Sequence, residues 1–322
     1  MNRPDMLTDL PYCVGGLLYT PAINTEIAQK LINHEYANLT SIAFCLEDSI
    51  DDAYLPIAEQ HLKETLKQLI NHGDDLPLIF IRVRDCDHLF HIHNLLGREE
   101  SVVAGYIFPK FDLSNVSDYC RAISEFNEAR VRPLFMMPIL ESKSIADIGK
   151  RVDVLWDIKS HLDNIKPFVL NIRVGGNDLS NLYGLRRSDT QTIYDIGVVR
   201  DVLVNIINVF ASDYIVSGPV WEYFGEDPSQ PWAVGLRREI ELDLLNGFFG
   251  KTAIHPSQLP IIFDSLKVSR RDYDDAMQII DWQGKGLAVS KGVRGDRMNE
   301  LKCHIRWANG ISARSKIYGI KE

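Results

Sequence analysis

The stretch "PLFMMPILE", residues 133 to 141, is apolar for eight residues and then ends in a carboxylate. A run this short, bounded by polar residues, favours a buried strand over a helix. Seven similar runs recur about every 30 to 40 residues, with helix-like segments between them. They are "CVGGLLYT" (13–20), "SIAFCLED" (41–48), "LIFIRVR" (78–84), "VAGYIFPK" (103–110), "NIRVGGND" (171–178), "YIVSGPVWE" (214–222) and "FGKTAIHP" (249–256).

The segments between the runs are typical of helices that pack on a sheet. "NTEIAQKLINHE" places Ile27, Leu31 and Ile32 on one face, with Asn24 as the expected N-cap. Apolar strands that alternate with helices imply a parallel sheet buried on both faces. Eight such units predict a TIM (β/α)8 barrel over residues 1–265, with a doubly wound open sheet as the alternative fold.

The strand-helix rhythm stops after residue 265. "SRRDYDDAMQIIDWQ" is typical of a helix, and the Gly-rich, basic "GKGLAVSKGVRGDR" is interpreted as a surface hairpin, followed by an amphipathic stretch. We therefore predict a C-terminal helical and hairpin appendage over residues 266–322.

Composition and charge argue against several classes of partner. The 322 residues are 45% hydrophobic and 25% charged, and the net charge of −9 argues against nucleic-acid binding. The five cysteines are widely spaced and form no CxxC pair, which indicates neither a disulfide framework nor a zinc site. No apolar run approaches the roughly 20 residues of a membrane span. We expect a cytoplasmic protein with no membrane partner.

Nearly every apolar run ends in polar side chains. In a barrel the carboxyl ends of all eight strands meet at one rim, where such enzymes keep their active sites. We therefore expect these residues to form one cluster. For any single residue, the alternative is that a polar side chain follows the strand only because the chain reaches solvent there. They are Tyr19, Thr20, Glu47, Asp48, Arg82, Arg84, Lys110, Glu141, Asp178, Glu222 and His255.

Glu141 and Asp178 end the fifth and sixth runs, which are neighbours in a barrel. Two close carboxylates repel and would raise one pKa unless they share a cation. Oxygen ligands with room for water suit Mg²⁺, with Mn²⁺ as an alternative, better than zinc. Gly176, within the same run, would allow a ligand to approach closely. The alternative to a metal site is a salt bridge from these carboxylates to Arg82 or Lys110.

Two arginines follow the third run. We expect only one of them, Arg82, to point into the barrel mouth, where it would bind a carboxylate through two parallel hydrogen bonds. Arg84 lies one step nearer the following loop, from which it would reach the ligand or turn toward the helical side.

Two other motifs favour structural roles. "GKT" (250–252) resembles the end of a phosphate-binding loop, but such a loop requires a glycine five residues before Gly250, and that position is Leu245. We therefore expect a barrel strand here. Lys251 and His255 should lie near the rim and pack against the first strand. The histidines of "DCDHLFHIHN" (85–94) suggest a metal cluster, yet their spacing favours a solvated helix face.

The ordered set "LLYTPA", "LEDS", "IRVR", "FPK", "PILE", "GGNDL" and "GKTAIHPSQ" resembles the citrate lyase β-subunit-like family, the HpcH/HpaI aldolase and citrate lyase superfamily, over residues 14–265. More narrowly, it is similar to the divergent carbon–carbon bond lyases of TIM-barrel fold encoded in bacterial stress and tellurium-resistance gene clusters. The motifs are specific for the superfamily and not for a substrate.

The resemblance implies a Mg²⁺-dependent barrel. Glu141 and Asp178 match the family's metal ligands, and Arg82 matches the arginine that binds the oxo-acid carboxylate. Glu47 and Asp48 match the "LED" segment, which helps to order metal-bound water.

The resemblance also concerns the appendage, which in the family often carries an aspartate that completes a neighbouring subunit's site. Asp296 is the candidate here, and a homo-oligomer, trimeric or larger, is implied. One departure is that the usual R-x-N reads Arg82-Val83-Arg84, which would suit a more anionic ligand such as a phosphate.

Our leading hypothesis is a metal-dependent lyase that cleaves or forms a carbon–carbon bond beside an oxo-acid or in an acyl-thioester. The alternatives are an enzyme of phosphorylated-metabolite biosynthesis and a ligand-binding barrel without turnover. The candidate residues are Arg82, Glu47, Asp48 and Asp296 for catalysis, Arg82, Arg84, Lys110, Gly176 and Tyr19 for substrate binding, and Glu141 and Asp178 for the metal.

Overall fold

Eight parallel strands form a barrel in the computed structural model, which describes residues 9–283 and 286–322. The strands are β1 (Gly16–Pro21), β2 (Ser41–Cys45), β3 (Leu78–Arg82), β4 (Val103–Phe108), β5 (Phe135–Leu140), β6 (Ile172–Val174), β7 (Val216–Ser217) and β8 (Lys251–Ala253). Their order is β7-β6-β5-β4-β3-β2-β1-β8. Gly218 pairs with Lys251 and nearly closes the ring between β7 and β8. The predicted TIM barrel is confirmed, and the open sheet is excluded.

Helices connect the strands and cover the outside of the barrel. In the second helix Ala58, Leu62, Leu66 and Leu69 recur at helical spacing and are fully buried. The bounds are α1 (Ile27–Ile32), α2 (Leu55–Leu69), α3 (Cys86–Leu96), α4 (Val116–Asn127), α5 (Lys143–Ala146), α6 (Arg151–Asp163), α7 (Gly176–Asn181), α8 (Gly197–Phe210), α9 (Pro231–Leu245) and α10 (Leu259–Leu266).

The first helix begins later than predicted. Asn24 Oδ1 accepts from Glu26 N at 3.2 Å, so Asn24 shapes the turn before α1 and is not its N-cap. Ile27 and Leu31 are buried as expected.

Large side chains and one close backbone contact fix the core. Phe44, Phe80 and Phe108, from β2, β3 and β4, have no exposed surface, and burial of each stabilises the fold by about 1.5–3 kcal/mol. A Cβ on Gly105 would lie 2.0 Å from Phe135 O, so β4 and β5 approach too closely there for any side chain.

Strand register sets which residues reach the rim. Cys45 pairs with Arg82 across β2 and β3, and Ile139 pairs with Arg173 across β5 and β6. Neighbouring strands therefore end at similar heights, and the residues that follow them share one edge of the barrel.

The chain divides into two compact units. One is Val14–Ile262, and the other is Phe263–Glu322 with the described residues before Val14. In the second unit α11 (Arg270–Ile280) and α12 (Leu301–Tyr318) pack through a core that includes Ala276 and Ile311.

Four short strands complete the second unit. The predicted hairpin is present as antiparallel β10 (Val289–Lys291) and β11 (Met298–Glu300), although residues 284 and 285 of that motif lie outside the described residues. The remaining pair is β9 (Val268–Ser269) with β12 (Ile320–Lys321). In the described ranges no helix has the length and apolarity needed to span a membrane.

Candidate active site

Six polar residues at the ends of β2 to β6 lie together at the barrel rim, and we call them the rim cluster. Arg82 lies among the acidic members, with Nη2 2.7 Å from Glu47 Oε2 and 3.0 Å from Asp48 Oδ2. The same Nη2 is 3.9 Å from a carboxylate oxygen of Glu141, so its main partners are the two acids after β2. The rim cluster comprises Glu47, Asp48, Arg82, Lys110, Glu141 and Asp178.

Lys110 contributes both its backbone and its side chain. Its φ of 49° lies in the left-handed region, which non-glycine residues seldom adopt and which is often retained at functional sites. In this conformation Lys110 N donates to Glu141 Oε1 at 2.8 Å. Its Nζ donates to Glu47 Oε1 at 3.0 Å, while the side chain stays 58% exposed. Lys110 thus joins the acids after β2 to the acid after β5.

Glu141 has a perturbed ionisation. Its side chain is only 2% exposed, and burial, followed by the charge of Asp178, raises its pKa to about 8 against the opposing charge of Arg82. A Cβ on Gly175 would lie 1.7 Å from Glu141 Oε2, so only glycine leaves room for the carboxylate. The predicted repulsion between the two strand-end carboxylates therefore appears in the structure.

Asp178 lies in the first turn of α7 and is partly exposed. Within the part of the chain that the structure describes, its carboxylate has neither a hydrogen bond nor an ion pair, and Glu141 Oε2 accepts no hydrogen bond. These open oxygens fit Mg²⁺, which prefers a few carboxylates and completes its octahedron with water or ligand. No group of three or more His, Cys, Asp or Glu suited to a metal occurs in the described ranges.

The two acids after β2 differ in ionisation. Burial raises the pKa of Glu47 despite the charge of Arg82. Burial also acts to raise the pKa of Asp48, but its interactions with Glu47, Arg82 and Lys110 prevail and lower it. Asp48 is half exposed and remains the more acidic member of the pair.

Arg84 is not brought into the rim cluster. β3 ends at Arg82, and the Arg84 guanidinium turns to the segment after β2, where it donates to Leu46 O at 2.8 Å and to Ile50 O at 2.7 Å. It also pairs with Asp52. Arg84 therefore holds the loop that carries the two acids after β2.

The other candidate residues have different surroundings. The Tyr19 ring lies 5.9 Å from the Arg82 guanidinium, at the inner side of the cluster. A Cβ on Gly176 would meet Pro219 Cβ at 2.6 Å, so this glycine is required by packing. Asp296 belongs to the second compact unit and pairs with Arg271 at 2.8 Å.

Three further residues expected at the rim have local partners. Thr20 Oγ1 accepts from Asn24 at 3.2 Å, Glu222 pairs with Arg186 at 3.2 Å, and the His255 ring stacks on Phe224. His255 Nδ1 also caps the turn that begins at Pro256. None of these contacts involves the rim cluster.

The expected position of Lys251 near the rim is wrong. Its side chain is 1% exposed and lies under α9, where Nζ is 2.6 Å from Glu239 Oε1 and 2.7 Å from Asp243 Oδ2. Arg187 Nη2 reaches the same Glu239 oxygen at 3.3 Å. We call Arg187, Glu239, Asp243 and Lys251 the α9 cluster.

The predicted solvated face for the histidines of α3 is also wrong in part. His88 is buried and contacts Glu59 Oε1 at 3.0 Å, while the exposed His91 contacts the other oxygen at 3.1 Å. His93 lies 2.8 Å from Glu100 Oε1. These histidines pair with carboxylates of neighbouring segments.

A buried cation in the sixth run escaped the sequence analysis. Arg173 lies in β6, is 2% exposed and donates to Thr252 Oγ1 at 2.6 Å. The signal was a single arginine inside an otherwise apolar strand, "NIRV", where a packed barrel usually places branched apolar side chains.

Comparison with known proteins identifies the family. The pattern described as C–C bond lyase of the TIM-barrel fold matches residues 8–320. The chain belongs to this family. The match extends through both compact units, and the comparison with curated proteins gave no significant match.

Solved structures share the fold at low sequence identity. A citrate lyase from Burkholderia xenovorans is 15% identical, with a TM-score of 0.70, 98% of this chain covered and 95% of that chain. CitE from Mycobacterium tuberculosis, solved with magnesium, acetoacetate and coenzyme A, is 16% identical, with a TM-score of 0.60 and coverage of 94% and 98%. RipC from Yersinia pestis is 16% identical, with a TM-score of 0.55 and coverage of 79% and 95%.

Proposed function

We propose that this protein is a metal-dependent lyase that cleaves, or in reverse forms, a carbon–carbon bond beside an oxo-acid. The observation that carries the proposal is the pair of open carboxylates, Glu141 and Asp178, beside two cations at the barrel rim. Membership in the family of carbon–carbon bond lyases supports the reaction class.

Glu141 and Asp178 would hold the ion, Mg²⁺ or alternatively Mn²⁺. The similar CitE structures contain magnesium with oxaloacetate in one case and magnesium with acetoacetate and coenzyme A in another, which supports both an oxo-acid and an acyl-thioester as ligands here. When bound, the ion would act as a Lewis acid toward a carbonyl or enolate oxygen.

The surrounding residues would orient the ligand and manage charge. Glu47 and Asp48 hold the Arg82 guanidinium from one side, so its position is set before a carboxylate arrives. Lys110 Nζ, which is more than half exposed, would neutralise an anionic group at the entrance. Asp48, with its lowered pKa, would remain ionised beside them.

Asp296 is retained as the candidate base that a neighbouring chain would supply to the site in a homo-oligomer. Its exposed carboxylate pairs with Arg271, so reaching a ligand would require that pair to open. The phosphorylated-ligand alternative rested on Arg84 and Lys110. The Arg84 guanidinium is bonded to the loop after β2, which leaves Lys110 as the phosphate contact of that alternative.

Calorimetric titration tests the proposal directly. Oxaloacetate, pyruvate and glyoxylate are each titrated with Mg²⁺ and with chelator, against the wild type and Glu141→Gln. Mg²⁺-dependent binding that is lost in the variant, followed by product formation, is the expected result. Binding without product would favour a ligand-binding barrel, and absence of binding with every ligand would overturn the proposal.

A further inference from the structure

Arg173 is unusual among the buried arginines of the described chain. Arg82 pairs with Glu47, Arg151 with Asp201 at 2.5 Å, and Arg187 with Glu239. Arg173 is as deeply buried as these, yet no carboxylate of the described residues lies within ion-pair distance of it.

The partners of Arg173 are all neutral. Nη2 donates to Thr252 Oγ1 at 2.6 Å and Nη1 to Asn171 Oδ1 at 3.4 Å, and the Tyr19 hydroxyl lies near enough to interact with the guanidinium electrostatically. Hydrogen bonds to neutral oxygens satisfy donors but leave the charge uncompensated, and an isolated charge is costly to bury. An anion from outside the protein would remove that cost.

The surroundings of Arg173 supply further unused donors. Asn171 Nδ2 is buried without a hydrogen-bond partner among the described residues, and so is Arg82 Nε. Tyr19 connects the two arginines, because its hydroxyl interacts with Arg173 and its ring faces Arg82. Arg82 shares its charge with protein carboxylates, so the positive charge left without a counter-ion in this part of the barrel belongs to Arg173.

We infer that Arg173 is the residue that makes the site select ligands with two carboxylates over ligands with one. The inference rests on the proposed function. A divalent ion would balance Glu141 and Asp178 and take the first carboxylate of an oxo-acid. The charge of Arg173 then attracts the second carboxylate through the poorly screened barrel interior.

The test compares malate with lactate, two stable 2-hydroxy acids that differ by one carboxylate. Calorimetry with Mg²⁺ is run on wild type, Arg173→Met and Arg173→Lys. Arg151→Met is the matched control, since it removes an equally buried arginine from the outer helical layer. We expect wild type and Arg151→Met to bind malate at least about tenfold more tightly than lactate, as expected for a charge-assisted contact.

Arg173→Met should abolish that preference by weakening malate binding, and Arg173→Lys should retain most of it. Equal affinity of wild type for the two acids, or an unchanged ratio in Arg173→Met, would overturn the inference without touching the proposed function. Binding of neither acid would overturn the inference, and the titration with oxaloacetate, pyruvate and glyoxylate would then decide the proposed function separately.

A second measurement needs no ligand and separates the charge from a packing role. The Tm of Arg173→Met should equal or exceed that of wild type, because an uncompensated buried charge is removed. Arg151→Met should lower the Tm, since it leaves two backbone carbonyls and Asp201 without their partner. If the Tm of Arg173→Met fell as far below that of wild type as the Tm of Arg151→Met, the inference would be contradicted.

Discussion

The rim cluster and the α9 cluster both combine carboxylates with cations, but they differ in how many of their carboxylate oxygens have a partner. In the α9 cluster Glu239 accepts from Lys251, Arg187 and Ile193 N, and Asp243 accepts from Lys251 and Tyr194. In the rim cluster Glu141 keeps one open oxygen, and Asp178 has no hydrogen bond or ion pair to any residue that the structure describes.

The pKa values reflect this difference. Burial raises the pKa of Asp243 to about 6, although Lys251 opposes the shift, whereas burial and Asp178 raise that of Glu141 to about 8. Buried charges alone therefore do not identify a functional site. An incompletely neutralised pair with open oxygens is the better candidate, because a bound cation would relieve its repulsion.

The largest contrast is expected from matched glutamine variants. Glu141→Gln should lose turnover by on the order of 10³-fold or more while the protein stays folded, because the carboxylate acts on the ligand side. Glu239→Gln should instead destabilise the fold. Steady-state kinetics and circular dichroism on both variants provide the check. Wild-type activity in Glu141→Gln would show that Glu141 is not an active-site residue.

The two lysines offer the next contrast. Lys251→Met removes the ammonium group that two buried carboxylates share and should lower the free energy of unfolding by about 3–5 kcal/mol. Lys110→Met removes a half-exposed partner and should change it by less than about 1 kcal/mol. Urea denaturation measures both, and similar losses would mean that the rim cluster is as structural as the α9 cluster.

Stability should depend on pH through Glu141. Its folded-state pKa of about 8 exceeds the ordinary value of 4.5, so the folded protein holds a proton that the unfolded chain releases. This stabilisation is complete below pH 4.5 and is lost as the pH rises through 8.

Glu141→Gln removes this loss. As the pH rises from 4.5 to about 8 the variant should therefore become progressively more stable than wild type without metal, by on the order of a few kcal/mol, and the difference should stay constant at higher pH. Saturating Mg²⁺ should reduce this difference in the free energy of unfolding between the variant and wild type. Thermal melts across pH test this, and parallel curves for the two proteins would contradict the assigned shift.

The smallest effect is expected at Arg84. Arg84→Lys keeps the charge but loses the forked contacts to the loop after β2, so Mg²⁺-dependent oxo-acid affinity should fall on the order of tenfold. Inorganic phosphate affinity should stay unchanged. A selective loss of phosphate binding would instead restore the phosphorylated-ligand hypothesis.

All six rim-cluster residues were predictable as members of one set because residues after neighbouring parallel strands must share an edge of the barrel. Lys110 was found by the same rule, but its left-handed backbone and its bond to Glu141 were not. The sequence left the direction of Arg84 open, because alternation along a strand carries no information beyond the residue where the strand ends.

The sequence by itself determined the barrel and the group of residues at its rim, because apolar runs of strand length repeat eight times and each ends in polar groups. Only the tertiary structure decided which charges are neutralised. Lys251 pairs with Glu239, whereas Arg173 has no carboxylate partner among the residues that the structure describes, and both outcomes depend on distances between residues that are not neighbours in the chain. Electrostatic energy depends on those distances and on burial, and neither is encoded in the local pattern of residues.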